Sequence, residues 1–100
     1  MRGMITFALI RQWAAARNLI EGSTPDRQLV KLEEEMQELA DAIAADDQDE
    51  YIDAIGDCVV VLTIMAAQRG LNIEQCIGAA YEQIKDRKGR MVDGIFVKEA

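Results

Sequence analysis

The fold is decided by one nearly continuous apolar stretch, AIGDCVVVLTIMAA, at residues 54–67. Its periodicity is helical, and the helix is expected to end at Gly70, a natural residue for the left-handed position that closes helices. A helix that is apolar on most of its circumference has to be surrounded by other elements. Asp57 is the one charged residue inside the stretch. A carboxylate buried there must be paired, hydrogen-bonded or bound to a metal.

The same helical periodicity extends in both directions from this stretch. Thr24 followed by Pro25 predicts a helix start, and Asn72 with Gln75 three residues later resembles a capping box. The Asp93-Gly94 pair predicts a tight turn in the last eleven residues, as part of a short hairpin or a docked tail. The predicted helices span residues 4–20, 25–45, from the acidic connector 46–49 to about 69, and from 72 to near 89. The fold class is therefore all-α, a single domain over residues 1–100 built as a four-helix bundle-like protomer with a short C-terminal tail.

Composition excludes several functional classes. The net charge of −7 argues against nucleic-acid binding and against anionic membrane surfaces, because both require a basic surface. Residues 1–10 and residues 54–67 are too short to span a membrane. Cys58 and Cys76 lie in apolar helical patterns without disulfide or metal spacing, so we interpret them as reduced core thiols of a cytoplasmic protein.

A second informative stretch is KLEEEMQEL at residues 31–39. At about 100° per residue, the apolar face of this helix, with Leu29, Leu32, Met36, Leu39 and Ile43, centres between Leu32 and Met36. Relative to Leu32, Glu35 falls near −60° and Glu38 near −120°, whereas Glu34 falls near +200°, towards solvent. Glu35 and Glu38 therefore lie one turn apart beside the core, where two carboxylates can converge on one cation.

The apolar helix offers further carboxylates on one stripe, since Glu50 and Asp53 precede Asp57 by seven and four residues. Packing this stripe against Glu35 and Glu38 would bring four or five acids together, and only basic partners or a divalent cation offset such repulsion at low cost. The chain has no His, which argues against zinc, and an all-oxygen site suits Mg²⁺ or Mn²⁺. Two simpler interpretations are a solvated Glu-rich face and a salt bridge of Asp57 with Lys31 or Arg69.

This arrangement resembles the MazG-like, all-α NTP pyrophosphatase superfamily, and especially its small single-domain members from phages and mobile gene cassettes. The signature EExxE is matched by Glu34-Glu35-Met36-Gln37-Glu38, and the similarity continues through residues 53–62. The resemblance implies that Glu35, Glu38 and Asp57 are metal ligands. The glutamate of the second motif, ExxD, is absent because Ala54 occupies that position; Asp53, which is preferred, or Glu50 would replace it.

The resemblance further implies hydrolysis of an NTP or dNTP to its monophosphate and pyrophosphate with Mg²⁺, in a homodimer or homotetramer. Glu34 or Glu35 would orient or deprotonate the attacking water. The alternatives are a non-catalytic helical assembly module and an activity of the phosphoribosyl-ATP pyrophosphohydrolase type. The base and sugar of the substrate are left open.

Substrate contacts are expected from residues outside the carboxylates. Lys85 and Lys88 share a face of the last predicted helix and, with Arg87 and Arg90, form a basic cluster suited to a phosphate tail; helix-dipole compensation is the alternative. Trp13, one turn before Arg17, offers a ring for base stacking or a core contact. Gln28 and Lys31, on the carboxylate flank, are the other substrate-binding candidates, and Tyr81 is a weaker one.

Overall fold

The computed structural model describes residues 2–99, with side chains for residues 5–99. It confirms an all-α protomer with a small antiparallel hairpin at its C-terminal end. The elements are α1 (Arg2–Ala16), α2 (Pro25–Ala45), α3 (Gln48–Gln68), α4 (Ile73–Ile84), β1 (Gly89–Val92) and β2 (Ile95–Lys98).

Side-chain caps fix the starts of three helices. Thr24 accepts a hydrogen bond from the Arg27 backbone N–H at 3.2 Å, directly before Pro25 at the first helical position. Asp47 caps α3 in the same way, and Asn72 with Gln75 forms a reciprocal capping box on α4. The predicted starts of α2, α3 and α4 are therefore confirmed.

Two predicted helix ends are wrong. α1 ends at Ala16, four residues early, because Asn18 adopts a left-handed conformation (φ 58°) and the Leu19 N–H bonds back to the Ala14 carbonyl. α4 ends at Ile84 rather than near Gly89, since residue 89 pairs with Lys98 in the hairpin.

The C-terminal segment is a hairpin rather than a docked tail. Asp93 and Gly94 both have positive φ (50° and 81°), as the two-residue turn of a right-twisted hairpin requires. The register pairs Met91 with Phe96 and Val92 with Ile95. Neither strand contacts a described helix. The hairpin therefore projects from the helical body.

α3 lies at the centre and packs against α1, α2 and α4, as the apolar stretch predicted. The face of α2 that it buries differs from the predicted one: Gln28, Glu35 and Ala42 are buried, whereas Met36 and Ile43 are 56% and 62% exposed. Leu29 is likewise exposed. The helix is rotated so that its carboxylate flank meets α3; Leu32 and Leu39 are half-buried, and Leu29, Met36 and Ile43 are left exposed by the same chain.

The two cysteines are both free thiols, but only one of them belongs to the interior. Cys58 is half-buried, whereas Cys76 is exposed on α4, so its assignment as a core thiol is wrong. On α4, Ile73 is buried against its own chain, whereas Ile77 and Ile84 are about half exposed. None of the helices in residues 2–99 combines the length and apolar character of a transmembrane span.

Candidate metal centre

Three carboxylates from two helices converge at the α2–α3 contact. Glu35 and Glu38, one turn apart on α2, and Asp57 on α3 each place an oxygen within 4.8 Å of the other two. Glu35 is only 5% exposed, Asp57 is half-buried and Glu38 faces solvent. The cluster is therefore anchored in the interior on one side and open on the other, as a site for an exchangeable ligand has to be.

The two oxygens of the Glu35 carboxylate have different surroundings. Its Oε1 lies 3.2 Å from the Lys31 Nζ, whereas its Oε2 is buried without a hydrogen-bond partner. The neighbouring groups, Glu38 and Asp57, can donate to it only if a carboxyl proton is shared. A buried acceptor surrounded by further acceptors is unfavourable unless a cation or a proton is added.

The pKa values respond to this crowding. The hydrogen bond with Glu35 and its charge raise the pKa of Glu38. Burial, followed by the charges of Asp53 and Glu35, raises the pKa of Asp57. Burial alone would raise the pKa of Glu35 as well, but hydrogen bonds from Glu38 and Lys31 hold it below its ordinary value. The crowding therefore makes Glu38 and Asp57 hold protons more tightly, whereas Glu35 gives up its proton more readily.

The same crowding reaches Cys58, next to Asp57 in the chain. Burial first, and then the charges of Glu35, Asp57 and Glu38, raise the pKa of this thiol. It is therefore a neutral neighbour of the cluster. Its proximity to α2 follows from the rotation of that helix, which the apolar pattern alone did not indicate.

Two other predicted acids lie around the cluster rather than in it. Glu34 is exposed and contacts Lys31 at 3.5 Å, on the solvent side. Asp53 is exposed but close enough to Asp57 to raise its pKa. With Glu38 and Glu50, Asp53 also lines an acidic groove of about 340 Å³ between the two helices. Asp53 and Glu50 thus remain the candidates for the missing ligand.

The predicted alternative for Asp57, a salt bridge with Lys31 or Arg69, is not found. Among residues 5–99, no ion pair includes Asp57, and Lys31 is engaged by Glu34 and Glu35. Lys31 is the one basic side chain that the described ion pairs bring to the cluster, and its pKa is raised by the hydrogen bond with Glu35.

An apolar groove of about 410 Å³ between α1 and α3 adjoins the cluster through Asp57. Ile10, Trp13 and Val60 are among the residues that line it. Trp13 is 46% exposed, and the Arg17 guanidinium lies over its ring at 4.5 Å. Trp13 is therefore not a core residue within one chain. The sequence predicted a role for Trp13. It did not indicate Ile10 and Val60, because their place in the groove depends on how α1 packs on α3.

The other predicted substrate contacts are placed apart from the cluster. Gln28 is buried and donates to the Ser23 hydroxyl at 3.1 Å. Lys85 pairs with Glu82 at 2.7 Å. The prediction that Lys85 and Lys88 share a helix face is wrong, because α4 ends at Ile84 and Lys88 lies beyond it, outside any helix or strand. Tyr81 is exposed on α4, which does not contact α2.

Comparisons with known proteins match the chain to one family. The MazG nucleotide pyrophosphohydrolase domain matches residues 23–92, which include all three carboxylates. A protein of Haemophilus phage HP1 (strain HP1c1), described as an uncharacterized 18.2 kDa protein in the rep-hol intergenic region, is 48% identical over 63 residues. That alignment covers 63% of this chain and 39% of the phage protein, so the chain spans well under half of its relative. No solved structure matches the chain.

Proposed function

Because the chain belongs to the MazG nucleotide pyrophosphohydrolase domain family, we propose that it hydrolyses a nucleoside triphosphate, ribose or deoxyribose, to the monophosphate and pyrophosphate. The observation that carries the proposal is the meeting of Glu35, Glu38 and Asp57 around a buried carboxylate oxygen without a partner. Clustered carboxylates that open to solvent are suited to a substrate that brings phosphates and a divalent ion together.

The donor set fits Mg²⁺, with Mn²⁺ as the next candidate. Glu35, Glu38 and Asp57 would hold it through carboxylate oxygens, and Asp53 is the preferred fourth ligand because it lies beside Asp57. The described residues near the cluster include no imidazole, since the chain has no His. When bound there, Mg²⁺ would offset the charge of the phosphate oxygens and make the α-phosphorus more electrophilic.

The protein's own groups have separate tasks in this reaction. Glu35 belongs to the cluster, whereas Glu34 lies on the solvent side beside Lys31, so Glu35 is better placed to orient water or accept its proton. Lys31 fixes the Glu35 carboxylate from the opposite side at 3.2 Å. Trp13 offers a ring for the base, while Asp57 connects the apolar groove to the carboxylates. Gln28 supports the loop before α2 through Ser23, and Lys85 and Lys88, beyond the end of α4, are the candidates for binding the phosphates.

We further propose that the working form is a homo-oligomer, a dimer or a tetramer, in the cytoplasm. The chain exposes 7781 Å², whereas a compact monomer of its 11.1 kDa mass exposes about 5,700 Å². The excess, roughly 2,000 Å², is in the range that one protomer buries in an obligate interface. Among the described residues, four of the ten buried ones are Ala, while larger apolar side chains such as Leu29, Met36 and Ile43 remain exposed.

A pyrophosphate-release assay across the common NTPs and dNTPs tests the activity directly. Wild type with Mg²⁺ should release pyrophosphate and monophosphate in equal amounts. Glu38→Gln and Asp57→Asn should each lower the rate on the order of 100-fold or more, since losing a ligand harms a metal site at least as much as losing a supporting hydrogen bond.

The matched control is Glu33→Gln, an exposed acid of α2 outside the three-carboxylate group. Its rate should equal that of wild type. The proposal fails if wild type releases no pyrophosphate with either Mg²⁺ or Mn²⁺, or if the two cluster variants keep the rate of the control.

A further inference from the structure

The C-terminal arm is defined here as residues 85–99, and the contacts that tie it to the helices of its own chain lie at its start, beside the end of α4. The strands β1 and β2 are exposed along their whole length, and neither contacts a described helix. The backbone bond from the Glu99 N–H to the Lys88 carbonyl only closes the hairpin on itself. An isolated two-stranded hairpin is marginally stable in water, so this one needs a surface to pack against.

Both faces of the hairpin are apolar. Because directly opposed residues point to the same side, Val92, Ile95 and Val97 lie on one face and Met91 with Phe96 on the other. Met91 is 75% exposed and Ile95 is 69% exposed. A strand pair with side chains of this kind on both faces is built to lie between two surfaces rather than on solvent.

The arm also differs in charge from the rest of the chain. Residues 85–100 carry five basic and three acidic side chains, a net charge of +2, whereas residues 1–84 carry six basic and fifteen acidic ones, a net charge of −9. Within residues 5–99, Arg87, Lys88 and Arg90 form no ion pair. The arm thus presents unpaired cations that complement an acidic body.

The arm carries positive charge, which the carboxylate site needs in order to bind a triphosphate. A nucleoside triphosphate with one Mg²⁺ remains an anion, and in the described part of the chain Lys31 is the one cation paired with the cluster. The acidic groove beside it, lined by Asp41, Glu50 and Asp53 among others, would repel a phosphate tail. One chain therefore supplies the metal ligands without enough positive charge for the substrate.

We propose that the C-terminal arm of a second copy of this chain docks beside the acidic groove and supplies Arg87, Lys88 and Arg90 to the phosphate tail of the substrate. This inference rests on the proposed function and adds to it that the site is shared between two chains. The arm can reach across, since its four-residue strands extend about 14 Å beyond the turn that follows α4. Exchange between two copies also covers the apolar faces of both hairpins.

Mixing two inactive variants tests the proposal. One variant carries Glu38→Gln, and the other carries Arg87→Ala, Lys88→Ala and Arg90→Ala, all at exposed positions that leave folding intact. Each alone should lose pyrophosphate release. After subunit exchange, half of the dimers are mixed and each mixed dimer holds one complete site, so the mixture should regain about a quarter of the wild-type rate.

Two controls test whether the regained activity comes from a site shared between two chains. Glu38→Gln mixed with Asp57→Asn should regain nothing, because both defects lie in the same half of the site. Arg27→Ala, an exposed arginine of α2, should match wild type. Activity of the triple variant on its own, or no regain when it is mixed with Glu38→Gln, would overturn the shared site.

A cross-linking measurement separates this inference from the proposed activity. In a Cys76→Ser background, Lys88→Cys chains and Asp41→Cys chains are mixed and oxidised. A covalent heterodimer that forms only in the mixture supports docking of the arm on a second copy even if no triphosphate is hydrolysed. The absence of that heterodimer overturns docking of the arm even if wild type is active.

Discussion

Replacing Asp57 by Asn should make the metal-free protein more stable, although Asp57 lies at the centre of the proposed site. The oxygens of Asp57 and Glu35 lie within 4.8 Å of each other. Two unit charges at that distance repel by about 3 kcal/mol at an effective dielectric constant of 20 and by about 1 kcal/mol in water. Asp57 is half-buried, and proton sharing relieves part of the repulsion, so we expect a gain of about 1 kcal/mol.

Thermal unfolding in EDTA at fixed protein concentration measures this gain. For a domain of this size, about 1 kcal/mol raises the melting temperature by about 4–8 °C. Adding Mg²⁺ should then reverse the order, so that wild type melts at a higher temperature than Asp57→Asn. If wild type binds Mg²⁺ with a dissociation constant of about 1 mM, 10 mM Mg²⁺ stabilises it by about 1.4 kcal/mol, whereas Asp57→Asn should gain almost nothing.

Glu33→Gln is the control, because it removes an exposed α2 charge outside the cluster. Its effect should stay within about 0.5 kcal/mol with or without Mg²⁺. The reasoning is refuted if Asp57→Asn melts below wild type in EDTA. That outcome would mean that the carboxylate has satisfying partners in the protein and contributes to folding rather than to cation binding.

Three further predictions concern other parts of the molecule. Arg11 and Glu74 join α1 to α4 through two hydrogen bonds of 2.6 and 3.0 Å, which lower the pKa of Glu74. Wild type should therefore be more stable than Glu74→Gln at pH 7, and the difference should disappear as the pH falls below 4.5. Urea titrations at pH 7 and pH 3 measure this difference. Equal differences at pH 7 and pH 3 would contradict this. Nucleotide with Mg²⁺ should quench the fluorescence of Trp13, the single Trp of the chain, and unchanged emission at saturating nucleotide would exclude Trp13 from the base site. Gly70→Ala should destabilise the protein by about 1 kcal/mol because residue 70 has φ 72°. Gly78→Ala, inside α4, should stabilise it by about 0.5–1 kcal/mol. If urea unfolding shows that both substitutions change the free energy of unfolding in the same direction, the backbone argument is contradicted.

Local signals in the sequence predicted most of the fold. Thr24, Asp47 and Asn72 cap the starts of their helices by bonding to residues three positions further on. Both members of each contact are therefore visible in a short stretch of sequence. The end of α1 was missed because Asn18 takes a conformation usually expected of Gly. The end of α4 was missed because the partner of residue 89 in the hairpin lies nine positions further on.

The candidate site was predictable for a related reason. Glu35 and Glu38 lie on one helix, so their relation follows from its period alone, and Asp57 stood out as a charge in an apolar run. The rotation of α2 was not predictable, since apolar periodicity assigns Met36 to a buried face without saying which chain covers it. In the described structure Met36 is more than half exposed and Glu35 faces α3 instead.

Diffraction from crystals grown with Mn²⁺, measured at the manganese absorption edge, tests the cation site most directly. We predict an anomalous peak within coordination distance of the carboxylate oxygens of Glu35, Glu38 and Asp57, and no such peak in crystals of Asp57→Asn. A map in which manganese binds elsewhere or not at all, with the three carboxylates turned apart from one another, would contradict the metal site and the hydrolase proposed from it.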